Sequence, residues 1–276
     1  MRVLKTKADM RAARPRFKEM GLVPTMGFLH DGHLSLMRRA RGECGAVTAT
    51  IFVNPTQFAP GGDFDTYPRD MDRDLALLQE AGVDLVFTPS PEELYPEGFD
   101  ASVIIGGVSE GLEGAARPGH FAGVATVVLK LINIVQPTRA YFGQKDAQQA
   151  AVIQKLARDL DLPAQITIAP TVREADGLAM SSRNAYLAPN ERAAAAVLHR
   201  ALSAAERLYT GGERSAGVLR GAMTTALGEE PLAKIDYVSV ADPLTLRELD
   251  LITTGALVSM AVQIGPARLI DNLVLA

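Results

Sequence analysis

Cysteine and histidine are both scarce: Cys44 stands alone, and the 276 residues hold four histidines. A single cysteine excludes an internal disulfide framework and a CxxC metal or redox site, and it suits a reducing compartment. Set beside Gly45 and just ahead of an apolar run, Cys44 reads as buried filler rather than a nucleophile, because no thiolate-activating group surrounds it. An excess of positive charge is lacking as well. The net charge of −4 excludes a broad electrostatic grip on nucleic acid, though a local basic cluster remains compatible with it. No long uninterrupted apolar run is present. The longest candidate, "FAGVATVVLKLINIV", contains Lys130 and is too short to span a bilayer, and the opening "MRVLKTKADMRAARPRF" lacks the apolar core of a secretory signal. With 47% apolar and 22% charged residues, the expectation is a cytoplasmic globular protein of one large or two smaller domains, with no membrane partner.

What is present begins with alternation. Short β-rich runs at 21–24, 46–53, 83–89, 139–143 and 165–168 alternate with helical patterns near 33–41, 71–81, 122–135 and 147–160. This βαβα order predicts an α/β, Rossmann-like parallel sheet with helices on both faces, whose ligands sit beyond the carboxyl ends of the strands. After Asn184 the character changes. A long alanine-rich helix over 190–209, a break at "TGGERS", a second helix over 215–228 and strands at 235–241, 256–264 and 268–275 predict a smaller α+β domain. The expected division is 1–185 and 186–276.

Two of the four histidines fall in "PTMGFLHDGH", residues 24–33, where a strand meets a helix. First-turn N–H groups and the positive dipole end of a helix favour an anion there. His30 and His33, three residues apart, share that end, and as imidazolium groups they would donate charge-assisted bonds to phosphate. A metal pair and two ordinary surface histidines are the competing readings. A second cluster, "FGQKDAQQ", brings Lys145 and Asp146 to the end of the 139–143 strand. Lys145 suits a phosphate, and a solvated helix start is the alternative. A third, "MSSRN", gathers Ser181, Ser182 and Arg183 in one polar loop, as either polyphosphate donors or a plain turn. "VNPTQF" carries Asn54 and Gln57, amides fit for a small polar substrate or for a turn. It leads into the glycine-rich stretch "APGGDFDT". "RPGHFAGV" sets Arg117 and His120 before a buried helix, where His120 either caps, packs or binds. Cations gathered in loops around one sheet of an acidic protein imply an anionic small molecule, with a nucleoside triphosphate the natural candidate.

Taken in order, PTMGFLHDGH, NPTQF, YPR, RPGHFAGV, FGQKDAQQ and MSSRN resemble the pantothenate synthetase (pantoate–β-alanine ligase) family from about Val23 to Asn184. His30–His33 resembles the HIGH motif of nucleotidyltransferases and class I aminoacyl-tRNA synthetases, and MSSRN their mobile KMSKS loop. The resemblance implies that ATP and pantoate form pantoyl adenylate and pyrophosphate, after which the amine of β-alanine attacks to give pantothenate and AMP. It also implies a homodimer and Mg²⁺ accompanying ATP. His33 would be the family's proton donor, with His30, Lys145, Ser181, Ser182 and Arg183 sharing the catalytic task. Met26, Gly27, Gly143, Gln144, Lys145, Asp146, Val172 and Met180 would hold the nucleotide, while Gln57 and Gln149 would meet pantoate and Gln57 also β-alanine. No base for the amine is evident. Gln144 departs from a frequent Glu. Asp72 and Asp74 lie where some members place a metal-facing acid, or else on a solvated helix face, so no metal ligand is assigned. Rival readings are another nucleotidyltransferase of the same superfamily, which would keep the nucleotide in its product, and a nucleotide sensor without turnover.

Overall fold

The computed structural model describes residues 1–58 and 64–276, so most of the glycine-rich stretch that follows NPTQF, residues 59–63, lies outside the described residues. In chain order the elements are β1 (Arg2–Leu4), α1 (Lys7–Ala13), β2 (Gly21–Thr25), α2 (Asp31–Cys44), β3 (Val47–Ile51), α3 (Met71–Glu80), β4 (Leu85–Phe87), α4 (Pro91–Leu94), α5 (Glu113–Ala116), α6 (His120–Val135), β5 (Arg139–Gly143), α7 (Ala147–Asp159) and β6 (Gln165–Ala169). They continue with α8 (Pro189–Ala194), α9 (Val197–Thr210), α10 (Ala216–Gly228), β7 (Lys234–Ala241), β8 (Ala256–Ile264) and β9 (Ala267–Leu275). The chain divides into two compact units. One comprises Met1–Gly143 and Gln148–Pro170, the other Gln144–Ala147 and Thr171–Ala276.

The first unit is built on a six-stranded sheet in the order β1-β4-β3-β2-β5-β6, parallel throughout. Its strands are apolar on both faces because helices cover both. Val23 on one face packs with Met37, Ala40 and Leu78 of α2 and α3, while its neighbour Leu22 is equally buried on the other. α6 is apolar nearly all round and correspondingly buried, with Ala125, Ile132 and Val135 almost wholly withdrawn from water. From β2 the chain runs outward to β3 and β4 on one side and returns as β5 on the other. The reversal of strand order therefore lies between β2 and β5, the place in such sheets where ligands bind beyond the carboxyl ends. Cys44 is buried, its Sγ 3.3 Å from the Tyr141 hydroxyl, as expected of filler.

In the second unit β7, β8 and β9 form an antiparallel sheet, with Val258, Met260 and Val262 of β8 packed among Leu198, Leu202, Leu219 and Met223 of α9 and α10. Several details differ from the sequence-based expectation. β1 and the short helices α1, α4 and α5 are not among the elements it names, since so few residues carry no readable period. The single helix expected over 190–209 is two, because the Ala196 and Leu198 amides bond three residues back, to Ala193 and Ala195, and tighten the turn between α8 and α9. The second unit takes in residues from Thr171 onward, upstream of the expected division at 185. The reason is that Arg173 binds both carboxylate oxygens of buried Asp271 on β9, at 2.7 and 3.0 Å, and Leu178 joins the core of that unit.

Candidate active site

β2 ends at Thr25, and among the described residues the turn that follows is bonded to itself, to Thr25 and to Asp74 of α3. The Gly27 amide donates to Thr25 Oγ1 at 3.2 Å. The Phe28 and Leu29 amides each donate to one oxygen of Asp74, both at 2.7 Å. Gly27 and Phe28 both stand at positive φ, 85° and 50°, which turns the chain sharply into α2. His30 is the N-cap of α2. Its Nδ1 accepts from the Gly32 amide at 3.1 Å, and His33 Nδ1 accepts from the His30 amide at 3.3 Å. This is a capping box made by two imidazoles, whose ring centres lie 4.0 Å apart.

The cap corrects one expectation about how this turn would hold an anion. A nitrogen that accepts a hydrogen bond carries no proton, so each ring is neutral with its proton on Nε2, rather than an imidazolium. The amides of Gly27, Phe28, Leu29, His30 and Gly32 have acceptors within the protein. Both histidines are half-buried.

Beside this turn, a network fixes the NPTQF segment. Asn54 Nδ2 donates to Gln57 Oε1 at 3.1 Å and to the Gly123 carbonyl at 3.2 Å, while Asn54 Oδ1 accepts from the Tyr95 hydroxyl at 2.7 Å. Burial pushes the Tyr95 phenol up, so it stays a donor. With its oxygen engaged, Gln57 turns its Nε2 donor toward Met26, 3.2 Å from Sδ. His120 Nδ1 lies 2.8 Å from the Gln57 carbonyl and its Nε2 lies 3.3 Å from Arg117 Nη1. It is therefore the opposite neutral tautomer, donating from Nδ1 and accepting at Nε2. Gly123 permits the contact: a Cβ there would stand 2.3 Å from the Thr56 carbonyl oxygen. The two glutamines of α7 differ. Gln148 is buried, its amide engaged by the Val108 and Gly111 carbonyls and the Glu113 amide, whereas Gln149 is half-buried. A cavity of about 230 Å³, with mostly apolar walls, is bordered by Met26, Gly27, Ile51, Phe52 and Asp74.

In the second unit, the turn Gln144–Asp146 is bound from both sides of Asn272. Asn272 Nδ2 donates to the carbonyls of Gln144 and Lys145 at 2.9 and 2.8 Å, and Gln144 Nε2 donates to Asn272 Oδ1 at 3.0 Å. Lys145 Nζ stands 3.4 Å from Asp146 Oδ1. The Met180 amide donates to the Val172 carbonyl, and Ser181 caps the 3-10 turn Ser182–Tyr186, its Oγ accepting from the Arg183 amide at 3.3 Å. Asn184 Nδ2 ties that turn to Glu174 and to the Ala179 carbonyl, both at 3.1 Å, and Glu174 in turn accepts from Arg192 at 2.6 Å.

Within the first unit the structure thus brings together Met26, Gly27, His30, His33 and Gln57. Within the second it orders Gln144, Lys145, Val172, Met180, Ser181 and Arg183. Sequence reasoning left Asn54 and His120 undecided and took Asp74 for a metal-facing or solvated acid; Tyr95 and Asn272 it did not single out. Asp74 is 1% exposed. The only sequence signal for it is its place on the inner stripe of α3 with Leu78, four residues on.

The sequence profile of the Pantoate-beta-alanine ligase family matches residues 2–274. Pantothenate synthetase of Chloroflexus aggregans is 63% identical over 273 residues, covering 99% of both chains, and that of Herpetosiphon aurantiacus is 60% identical over the whole of both. Among solved structures, pantothenate synthetase from Thermus thermophilus superposes with a TM-score of 0.96 at 51% identity over 99% of each chain. The pantoate-beta-alanine ligase of Francisella tularensis, complexed with β-γ ATP and β-alanine, gives 0.81 at 33% identity over 99% of this chain and 97% of its own. On a profile match and identities that run the length of both chains, this chain belongs to the pantoate–β-alanine ligase family.

Proposed function

We propose that this chain joins pantoate to β-alanine with the cleavage of ATP. Pantoate's carboxylate attacks the α-phosphorus, forming pantoyl adenylate and expelling pyrophosphate. The amine of β-alanine then attacks the acyl carbon, giving pantothenate and releasing AMP. Family membership across residues 2–274 supports the reaction, and the observation that carries its chemistry is the imidazole capping box, which aims two neutral N–H donors from the end of β2.

The first step needs no base, because its nucleophile is already ionised. Its barrier is repulsion between anions and the charge that grows on the departing pyrophosphate. Preorganised donors answer that barrier, each worth about 3–4 kcal/mol when removed. We assign the task to the Nε2–H groups of His30 and His33 as hydrogen-bond donors, the Lys145 ammonium, the Ser181 and Ser182 hydroxyls and the Arg183 guanidinium. Met26, Gly27, Gly143, Gln144, Asp146, Val172 and Met180 hold the nucleotide. Gln57, its amide held donor-outward by Asn54, and Gln149 meet the carboxylate and hydroxyls of pantoate, and Gln57 also meets β-alanine.

Magnesium fits this reading as ATP's own counter-ion. Among the described residues no three metal-binding side chains cluster, and Asp74 gives both oxygens to amides. Bound with ATP, the ion would take its coordination chiefly from phosphate oxygens and water, as Mg²⁺ commonly prefers. No described helix is long and apolar enough to cross a membrane. A cytoplasmic homodimer completes the reading, and sedimentation at micromolar concentration checks the assembly.

The decisive assay is pyrophosphate release from ATP and pantoate, with AMP release followed on adding β-alanine. His33→Ala and Lys145→Ala are expected to fold and to lose more than about a hundredfold in the first step. Unimpaired turnover in either removes that residue from the mechanism.

A further inference from the structure

Asp74 is a buried carboxylate that the reaction as written does not use. It sits on α3, one turn in from the N-terminus, and Arg73 Nη1 stands 3.9 Å from Oδ1. Its two oxygens take the amides of two consecutive residues, Phe28 and Leu29, at 2.7 Å each. Those residues are the ones that turn the chain from β2 into the imidazole cap. Phe28 holds φ at 50°, a conformation a bulky side chain avoids, and its ring carries the Arg73 guanidinium 5.4 Å from its centre. The fit is close, since a Cβ on Gly27 would stand 2.9 Å from Asp74 Oδ2. A carboxylate matches two adjacent N–H donors in a way no neutral side chain can, because an amide would oppose one N–H with another. Burial pushes the Asp74 carboxyl above its ordinary range, and the two amide bonds work against that push.

We propose that Asp74 is a positioning residue for adenylation: by clamping the Phe28 and Leu29 amides it fixes the entry of α2, and with it the direction of the His30 and His33 Nε2–H groups. It acts through the imidazoles and does not touch phosphate or metal. This rests on the reading that His33 meets the reacting phosphates, and the test separates the two.

The test is a double-mutant cycle on the pyrophosphate-release rate, with Asp74→Asn and His33→Ala alone and combined. Asp74→Asn keeps the shape and loses one acceptor. It is expected to lower kcat by about a hundredfold, the cost of a misplacement near 1 Å, with KM for ATP changing far less. In the His33→Ala background the same change is expected to cost no more than about twofold, because the group it positions is already gone. Leu78→Ala, on the same helix and fully buried, controls for lost stability: it is expected to melt earlier yet keep its kcat. Losses that simply multiply, or an Asp74→Asn enzyme of unchanged kcat, overturn the proposal. An active His33→Ala enzyme overturns the reading beneath it. Should Asp74→Asn not fold, the wild type decides. Amide hydrogen exchange at Phe28 and Leu29 is expected to stay protected when MgATP is added, and loss of that protection would mean that Asp74 has turned to the metal.

Discussion

At the scale of single residues, the recurring device is a polar side chain that commits one end to the backbone or a neighbouring amide so that the other end is aimed. His30 and His33 surrender Nδ1 to amides and present Nε2–H. Gln57 surrenders Oε1 to Asn54 and presents Nε2. Lys145 is set by carbonyl bonds from Asn272 on either side of its peptide. Such orientation removes alternatives of tautomer and amide flip before any ligand arrives, which is what preorganisation means energetically. Charge is used in the same way in the segment before MSSRN. Asp176 takes both guanidinium nitrogens of Arg192, at 2.6 and 3.1 Å, and chiefly this pairing holds its carboxyl below the usual range. A depressed folded-state value contributes stability that is complete above the ordinary carboxylate pKa and is lost as pH falls through the depressed one. The stability gap between wild type and Arg192→Gln is therefore expected to be widest near neutrality and to shrink below about pH 4. Urea unfolding at a series of pH values reads it, and a gap undiminished at the acid end would refute the assignment.

At the scale of elements, small residues decide where secondary structures meet. Gly177 lies in the turn between Arg173 and Ala179, two residues joined by an isolated bridge, at a φ of 91°. A Cβ there would stand 1.9 Å from His199 Cδ2 on α9. Gly177→Ala is expected to destabilise the protein by about 1–3 kcal/mol through overpacking, with a further cost for the backbone conformation. In a His199→Ala background most of the packing cost should vanish, leaving the backbone cost alone. Thermal melts of the four proteins measure this, and an equal loss in both backgrounds would show that His199 is not the obstacle. Strong periodicity made most elements legible: 139–143 was read to the residue, and α6 and α10 within two. Short or context-built elements were not legible, because three residues of β1 carry no period and the break between α8 and α9 arises in a run of alanines that would propagate a helix equally well.

At the scale of the molecule, a parallel sheet whose strand order reverses between β2 and β5 places the end of β2 at the switch point, and a second unit with its own antiparallel sheet and core carries the lysine and MSSRN turns. On the proposed reading, with nucleotide binding the folded chain alone, MgATP at a hundred times its dissociation constant is expected to add about 2.7 kcal/mol to stability, seen as a raised melting temperature. His33→Ala and Lys145→Ala should lose part of that shift, and a shift unchanged in both would argue that neither touches the nucleotide. By itself the sequence determined the class of the sheet, the smaller second fold and the motifs proposed to carry the chemistry, because hydrophobic period and motif order are local properties of the chain. Only tertiary structure decided what the polar groups do with their bonds. That Asp74 is a backbone clamp, that Gln148 is buried and fully engaged, and that the histidines are neutral donors all depend on which distant amide or carbonyl lies within hydrogen-bond reach, a distance fixed by packing.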